Sequence, residues 1–265
     1  MMHALSPAVE ALLRESAEAI VLPRFRKLAA HEIEEKFPGE IVTIVDRECE
    51  ARLAAGLHHL LPDASIIGEE ACAADPKQAD GINRGLAWLI DPVDGTANFA
   101  EGRTPFALMI ALLEDGRRSA SWIFDPVANR MCHAAANGGA YVDGERVHAR
   151  ETGSVLPIAE LGMKFLSPER REDVMRRVAG KFEIAPFVRC AGEQYPRIAL
   201  GQNDIALFER TLPWDHAPGA LFAEEAGAII RRPDGSAYQV GDGRSGLIAA
   251  SSRRMWDHAA SILFG

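Results

Sequence analysis

The run WLIDPVDGTANF, Trp88–Phe99, sets Asp91 and Asp94 three residues apart around a proline and follows them with glycine and threonine. Alone, Asp-Pro and Asp-Gly are common turn formers, and such a fragment ends a strand. Its surroundings give it more. The apolar GLAWLI reads as a strand that delivers Asp91 at its end; Pro92 removes a backbone donor and stiffens the bend, and Asp94 swings back toward the same point. Two carboxylates held that close repel unless a cation neutralises them. Gly95 and Thr96 precede ANFAEG, so their amides open a helix whose N-terminus suits a phosphate, with the Thr96 hydroxyl adding a hydrogen bond. Acids that hold a metal beside a phosphate cradle point to phosphate-ester chemistry. Oxygen-only ligands favour magnesium or a similar hard cation over zinc.

Two remote acidic segments fit the same site. SIIGEE is a short apolar strand ending in Glu69 and Glu70, either of which is a candidate ligand, and LPWDHAPGALFAEEAGA offers Asp215 at the start of a helix. A charged strand end is ordinarily solvated, and an Asp before a helix is ordinarily a cap; the three segments together make the case. EIVTIVD reads as a short β segment running into a helix that Pro62 closes, with Asp46 near the helix N-terminus.

Further out, residues 7–30 carry apolar positions at helical spacing, with Pro23 a kink or an end. Residues 106–148 hold several short β-type runs punctuated by Asp-Gly, Asp-Pro and Gly-Gly, the pattern of an antiparallel meander. Past Arg150 the rhythm changes: helix 167–179, strand 187–190, helix 193–200, strand 204–208, helix 215–227 and strand 228–231. This predicts an α+β region over residues 1–150 that carries the metal and phosphate motifs. A second, α/β region over residues 151–265 carries the last candidate metal ligand, Asp215.

The composition, 48% hydrophobic and 25% charged over 265 residues, is that of a globular chain able to bury a large core. A formal charge of −9 disfavours nonspecific adhesion to nucleic acid or anionic membrane, and no basic, aromatic-interleaved stripe suggests RNA binding. The N-terminal segment, with acids among its apolar residues, is neither a signal peptide nor a membrane span, so cytoplasmic residence is expected. Cys49, Cys72, Cys132 and Cys190 show no paired spacing and read as reduced, buried thiols. Trp88, Trp122 and Trp214 read as core anchors, and His58 and His59 as a solvated helix face.

On EIVTIVD ending in Asp46, GEE at Gly68–Glu70, WLIDPVDGTANF and PWDHAPGALFAEEAGA, the chain resembles the inositol monophosphatase family, within the lithium-sensitive, magnesium-dependent sugar-phosphatase superfamily. The resemblance implies a layered αβαβα sandwich. It implies that Glu69, Asp91, Asp94, Asp215 and the Val93 carbonyl hold two or three Mg2+ ions and that Asp46 acts on a further ion through water. Glu69 and Thr96 would orient the attacking water, and the amides of Gly95 and Thr96 would bind the phosphate. Asp94, Gly192, Glu193 and Glu209 would contact the substrate, although Glu209 lies six residues before Asp215 where familiar members show seven. Arg189, Arg197 and Arg210 lie near this predicted pocket, and His216 reads as structural.

The expected activity is hydrolysis of a small phosphate monoester, inositol monophosphate or a similar polyol phosphate. 3′-Phosphoadenosine 5′-phosphate, fructose 1,6-bisphosphate and histidinol phosphate are the alternatives. A reading of another class makes the chain a regulatory protein of transcription complexes. Homodimerisation and lithium inhibition are implied by the resemblance alone.

Overall fold

The computed structural model describes residues 2–265. Strand Leu86–Asp94 shows how its layers arise. Alternate side chains of a strand face opposite ways. Trp88 and Ile90 enter a core shared with Val9, Leu13, Val45 and Leu53, while Ala87 and Leu89 enter another shared with Tyr195, Ile198, Ala217 and Ala220. This strand lies second in a seven-stranded sheet that runs, in chain order, from Ser65–Gly68 to Glu145–Val147. The first pair is parallel and every later pair antiparallel, as the meander of turn signals predicts.

A five-stranded sheet repeats the arrangement. In Ile205–Phe208, Ala206 and Phe208 join the core shared with Ala217, and Ile205 and Leu207 join one shared with Val174, Trp256 and Leu263. Helices Ser6–Ser16 and Ile44–Leu60 cover the outer face of the large sheet. Ala191–Ala199 and Pro213–Glu225 lie between the sheets, and Pro168–Val178 with Arg253–Phe264 covers the far face. The result is the layered αβαβα sandwich implied by the resemblance. All four cysteines are free and buried, and Trp88, Trp122 and Trp214 are core residues. Among the described residues no helix is long and apolar enough to cross a membrane.

Two expectations change. The predicted strand 187–190 is not one. Arg189 takes a left-handed φ of 57° that breaks a ladder, and the Val188 N–H donates to the buried Glu160 carboxylate at 2.6 Å. The pairing strand is Glu183–Ala185, parallel to Ile158–Leu161. The N-terminal helix ends earlier than residue 30: a π-helical stretch, Ala17–Val21, precedes Leu22–Arg24, where Pro23 has no N–H to donate. Strands Ile158–Leu161 and Leu247–Ala250 and helix Arg253–Phe264 were not anticipated.

Candidate active site

Strand Leu86–Asp94 ends inside the protein, and its last residues form the floor of a cavity of about 190 Å³. Asp91 is 2% exposed, and its Oδ1 accepts the Val93 N–H at 3.1 Å, the turn bond expected of an Asp before proline. Gly95 follows at φ 87°, a conformation suited to glycine, and from it the short helix Thr96–Ala100 departs. Glu69 opens helix Glu69–Ala74 directly after strand Ser65–Gly68, and Asp215 sits in the first turn of Pro213–Glu225. One carboxylate oxygen from each of Glu69, Asp91 and Asp215 lies within 4.8 Å of the others. Thus the structure brings together acids from three distant segments of the sequence.

Asp94 lines the same cavity, and its Oδ2 accepts the Gly192 N–H at 2.6 Å. Thr96 Oγ1 lies 3.1 Å from Asp46 Oδ1 and 3.0 Å from the Val93 carbonyl. Asp46 stands behind Thr96 rather than on the cavity wall. Its Oδ2 accepts from the Thr43 N–H at 2.8 Å and hydroxyl at 2.6 Å, so it completes a capping box for helix Ile44–Leu60.

Electrostatics make this group unstable without a cation. Burial, then Glu69 and Asp94, raises the Asp91 carboxyl well above the usual range, and the same causes raise Asp215. Burial lifts Asp94 to about 6 against the pull of the Gly192 amide, and Asp46 to about 7 against its Thr43 hydrogen bonds. Lys36, which the sequence reading passed over, answers part of the charge. Its Nζ bridges the Glu69 carboxylate and Glu70 Oε1, the latter at 2.8 Å. Burial opposes its charge, but the two glutamates outweigh burial and hold the ammonium above its ordinary value. One lysine offsets one charge where several acids converge. Oxygen donors, mutual repulsion and a cation already drawn among them fit a hard divalent ion.

Not every predicted contact reaches the cavity. Gly192 and Glu193 are absent from its wall. Gly192 is packed against Ala107, and its N–H serves Asp94; Glu193, one residue further round helix Ala191–Ala199, pairs with Arg130 and with Arg197 at 2.7 Å. Arg197 is thereby turned from the pocket as well. Glu209, Arg189 and Arg210 do line it, with Lys164, Phe165 and Phe187, which sequence reasoning missed. His216 is buried with its Nδ1 2.9 Å from the Tyr195 hydroxyl, and burial pushes its pKa down to about 3, so it is neutral.

A profile described as the inositol monophosphatase family matches residues 2–263. The chain belongs to the inositol monophosphatase family. It is 32% identical to the Nus factor SuhB of Vibrio cholerae, over 83% of this chain and 81% of that one. It is 33% identical to the histidinol-phosphatase of Mycobacterium tuberculosis, over 74% and 75% of the two chains. The extragenic suppressor protein SuhB of Bartonella henselae superposes with a TM-score of 0.84 at 21% identity, covering 99% of both chains. The last likeness concerns the fold. Relatives in this one family carry names for different roles, a Nus factor and a histidinol-phosphatase, so family membership alone does not specify a substrate.

Proposed function

We propose that the protein is a magnesium-dependent phosphatase that hydrolyses a small phosphate monoester by direct attack of water. The observation that carries this reading is the group of buried Asp91 with the half-buried Glu69 and Asp215, within 4.8 Å of one another on the wall that also holds Gly95 and Thr96. Those three acids, with Asp94 and the Val93 carbonyl, would hold two or three ions. Bound magnesium would supply Lewis-acid chemistry, lowering the pKa of water and balancing charge on the phosphoryl and leaving oxygens.

The chain's own groups orient the reactants. The amides of Gly95 and Thr96 face the phosphate oxygens. The Thr96 hydroxyl, donating toward Asp46 or the Val93 carbonyl, keeps a lone pair to accept a hydrogen bond from the attacking water. Glu69 takes the second hydrogen bond of that water and, as phosphorus–oxygen bond formation proceeds, its proton. Asp46 acts through Thr96 by fixing the rotor of its hydroxyl. The departing alkoxide leaves in line on the far side, toward the outer cavity where Glu209 and Arg210 stand. Lithium sensitivity and homodimerisation, both drawn from the resemblance, belong to this proposal. The SuhB relative carries the name Nus factor, which supports a second reading as a partner in transcription complexes. The retained acidic set favours the enzyme.

Phosphate release from a panel of monoesters, with and without magnesium and then with lithium, tests the proposal. Asp91→Asn should lower kcat by at least about 100-fold, the scale of one lost electrostatic contact at a reacting centre. It should not unfold the protein, because it removes one of several mutually repelling buried charges. Wild-type turnover by Asp91→Asn with magnesium present would overturn the assignment.

A further inference from the structure

Gly95, at the head of the phosphate cradle, rests on two segments that are distant in sequence from each other. A Cβ added there would stand 3.0 Å from the Pro105 carbonyl oxygen, 3.3 Å from Cys190 Cβ and 3.4 Å from Phe106 Cα. The place of the Gly95 amide is therefore set by where Pro105–Phe106 and Cys190 lie. Pro105–Phe106 runs directly into strand Ala107–Glu114, which pairs with the strand that ends at Asp94. The chain before Cys190 has no such support. Val188 and Arg189 belong to no strand, and Arg189 has the left-handed φ that breaks a ladder.

Two buried side chains stand in for the ladder. The Glu160 carboxylate accepts the Val188 N–H at 2.6 Å and the Asn203 side-chain amide at 2.9 Å. At the carbonyl of the same residue, Asn98 Nδ2 donates to Val188 at 2.8 Å, and it also donates to the Pro105 carbonyl at 2.8 Å. Both partners are carbonyls, so only the NH2 end of Asn98 fits there. Val188 is thus held through its N–H and its C=O at once, and the two segments beneath Gly95 are tied to one amide group. Asn98 itself stands on the short helix Thr96–Ala100 that the cradle opens. Neither Glu160 nor Asn98 lines the cavity.

We propose that Glu160 and Asn98 are positioning residues for phosphate binding: they fix the Val188–Cys190 segment, and through Cys190 and Pro105 they hold the Gly95 amide against the phosphoryl oxygens. This rests on the phosphatase reading above and adds the device that keeps its cradle in place. Removing either side chain hands a backbone group of Val188 to water and releases the segment. A shift of about 1 Å at a reacting centre costs up to about 100-fold in rate.

The test uses the full chain with saturating magnesium. It measures kcat on the monoester that the wild type hydrolyses fastest, and the Kd of inorganic phosphate by calorimetry, which reports on the cradle without an alcohol half. Glu160→Ala and Asn98→Ala should each lower kcat by about tenfold or more and raise that Kd by about fivefold, well below each variant's melting temperature. Glu160→Gln keeps an oxygen for the Val188 N–H, and Asn203 can turn its amide oxygen to the new NH2, so both values should stay within about threefold of wild type. Because both side chains act on one residue, the double alanine variant should lose less than the product of the two single effects. Should an alanine variant fail to fold, Asn98→Ser, whose one donor cannot serve two carbonyls, should lose about fivefold in kcat while Glu160→Gln keeps it. Wild-type kcat and phosphate affinity in a folded alanine variant or in Asn98→Ser, a Glu160→Gln protein impaired about tenfold, or single effects that simply multiply would overturn the positioning role and leave the phosphatase reading standing. If the wild type hydrolyses no ester, the phosphatase reading fails and takes the positioning role with it.

Discussion

At the scale of single residues, Glu50 shows how the site is built from behind. Its carboxylate accepts the backbone N–H groups of Glu70 at 2.7 Å and Ala71 at 2.9 Å, capping the helix on which Glu69 stands. Burial raises its pKa to about 7 even though both amides favour the charged form. Gly68 is the residue that lets Glu50 in. Its φ is −101°, open to any residue, yet an added Cβ would stand 2.3 Å from the Glu50 carboxyl carbon. The glycine of GEE is therefore required for space and not for backbone conformation. Gly68→Ala should destabilise the protein by about 1–3 kcal/mol, the usual cost of overpacking, and weaken magnesium binding through the displaced Glu69. Glu50→Ala should relieve the clash, so that the double variant loses less stability than the sum of the single ones. Urea midpoints of the four proteins measure this, and strict additivity would count against it. Asp91, Asp94 and Asp215 were legible because each sits at a strand end, turn or helix start with a local signature. Glu50 and Lys36 were not, since an ordinary helical Glu and a strand Lys acquire their contacts only when distant segments meet.

At the scale of elements, the acids depend on two helices that pass unusually close. Gly219 lies inside Pro213–Glu225, and a Cβ there would meet the Tyr195 ring at 2.0 Å from Cδ2. The same tyrosine holds His216, next to Asp215, and stacks on Phe208 with ring centroids 5.0 Å apart. In an exposed helix, replacing glycine by alanine stabilises by about 0.8–1 kcal/mol. Here the ring has no free space to move into, so Gly219→Ala should destabilise by about 1–3 kcal/mol and loosen magnesium binding at Asp215. Thermal unfolding and calorimetric magnesium titration check both effects; a stabilised variant would show that the helices have room to part. Both helices were readable from sequence to within about two residues, because their periodicity and turn residues are local. Leu247–Ala250 was not, because four apolar residues buried on both faces carry no alternation. The misplaced strand at 187–190 has a related cause: the apolar run Phe187–Val188 owes its place to the Glu160 carboxylate and the cavity rather than to a ladder.

At the scale of the whole molecule, the layers bring strand ends from one sheet and a helix start from between the sheets to one buried point, so folding itself forces like charges together. The consequence is a coupling between protons, magnesium and stability. Asp94 and Asp46 are raised to about 6 and about 7 from 3.8. A raised carboxyl pKa means the folded protein binds the proton more tightly than the unfolded chain. That stabilisation is complete below about pH 4 and is lost as pH rises through 6 and 7. The magnesium of the proposed function would bind the ionised acids, so protons would compete with it at low pH and withdraw from competition at high pH. His216, pushed down to about 3 from 6.5, acts in the opposite sense, since its stabilising neutral form is challenged as pH falls below about 6.5. Comparing magnesium-loaded with metal-free protein at each pH cancels that contribution. The rise in Tm on adding saturating magnesium should therefore be larger at pH 8 than at pH 5.5, by an amount equivalent to on the order of a few kcal/mol. In Asp94→Asn the difference between the two pH values should shrink. Equal rises at both pH values in the wild type would mean that the buried acids are not the groups through which magnesium stabilises the fold.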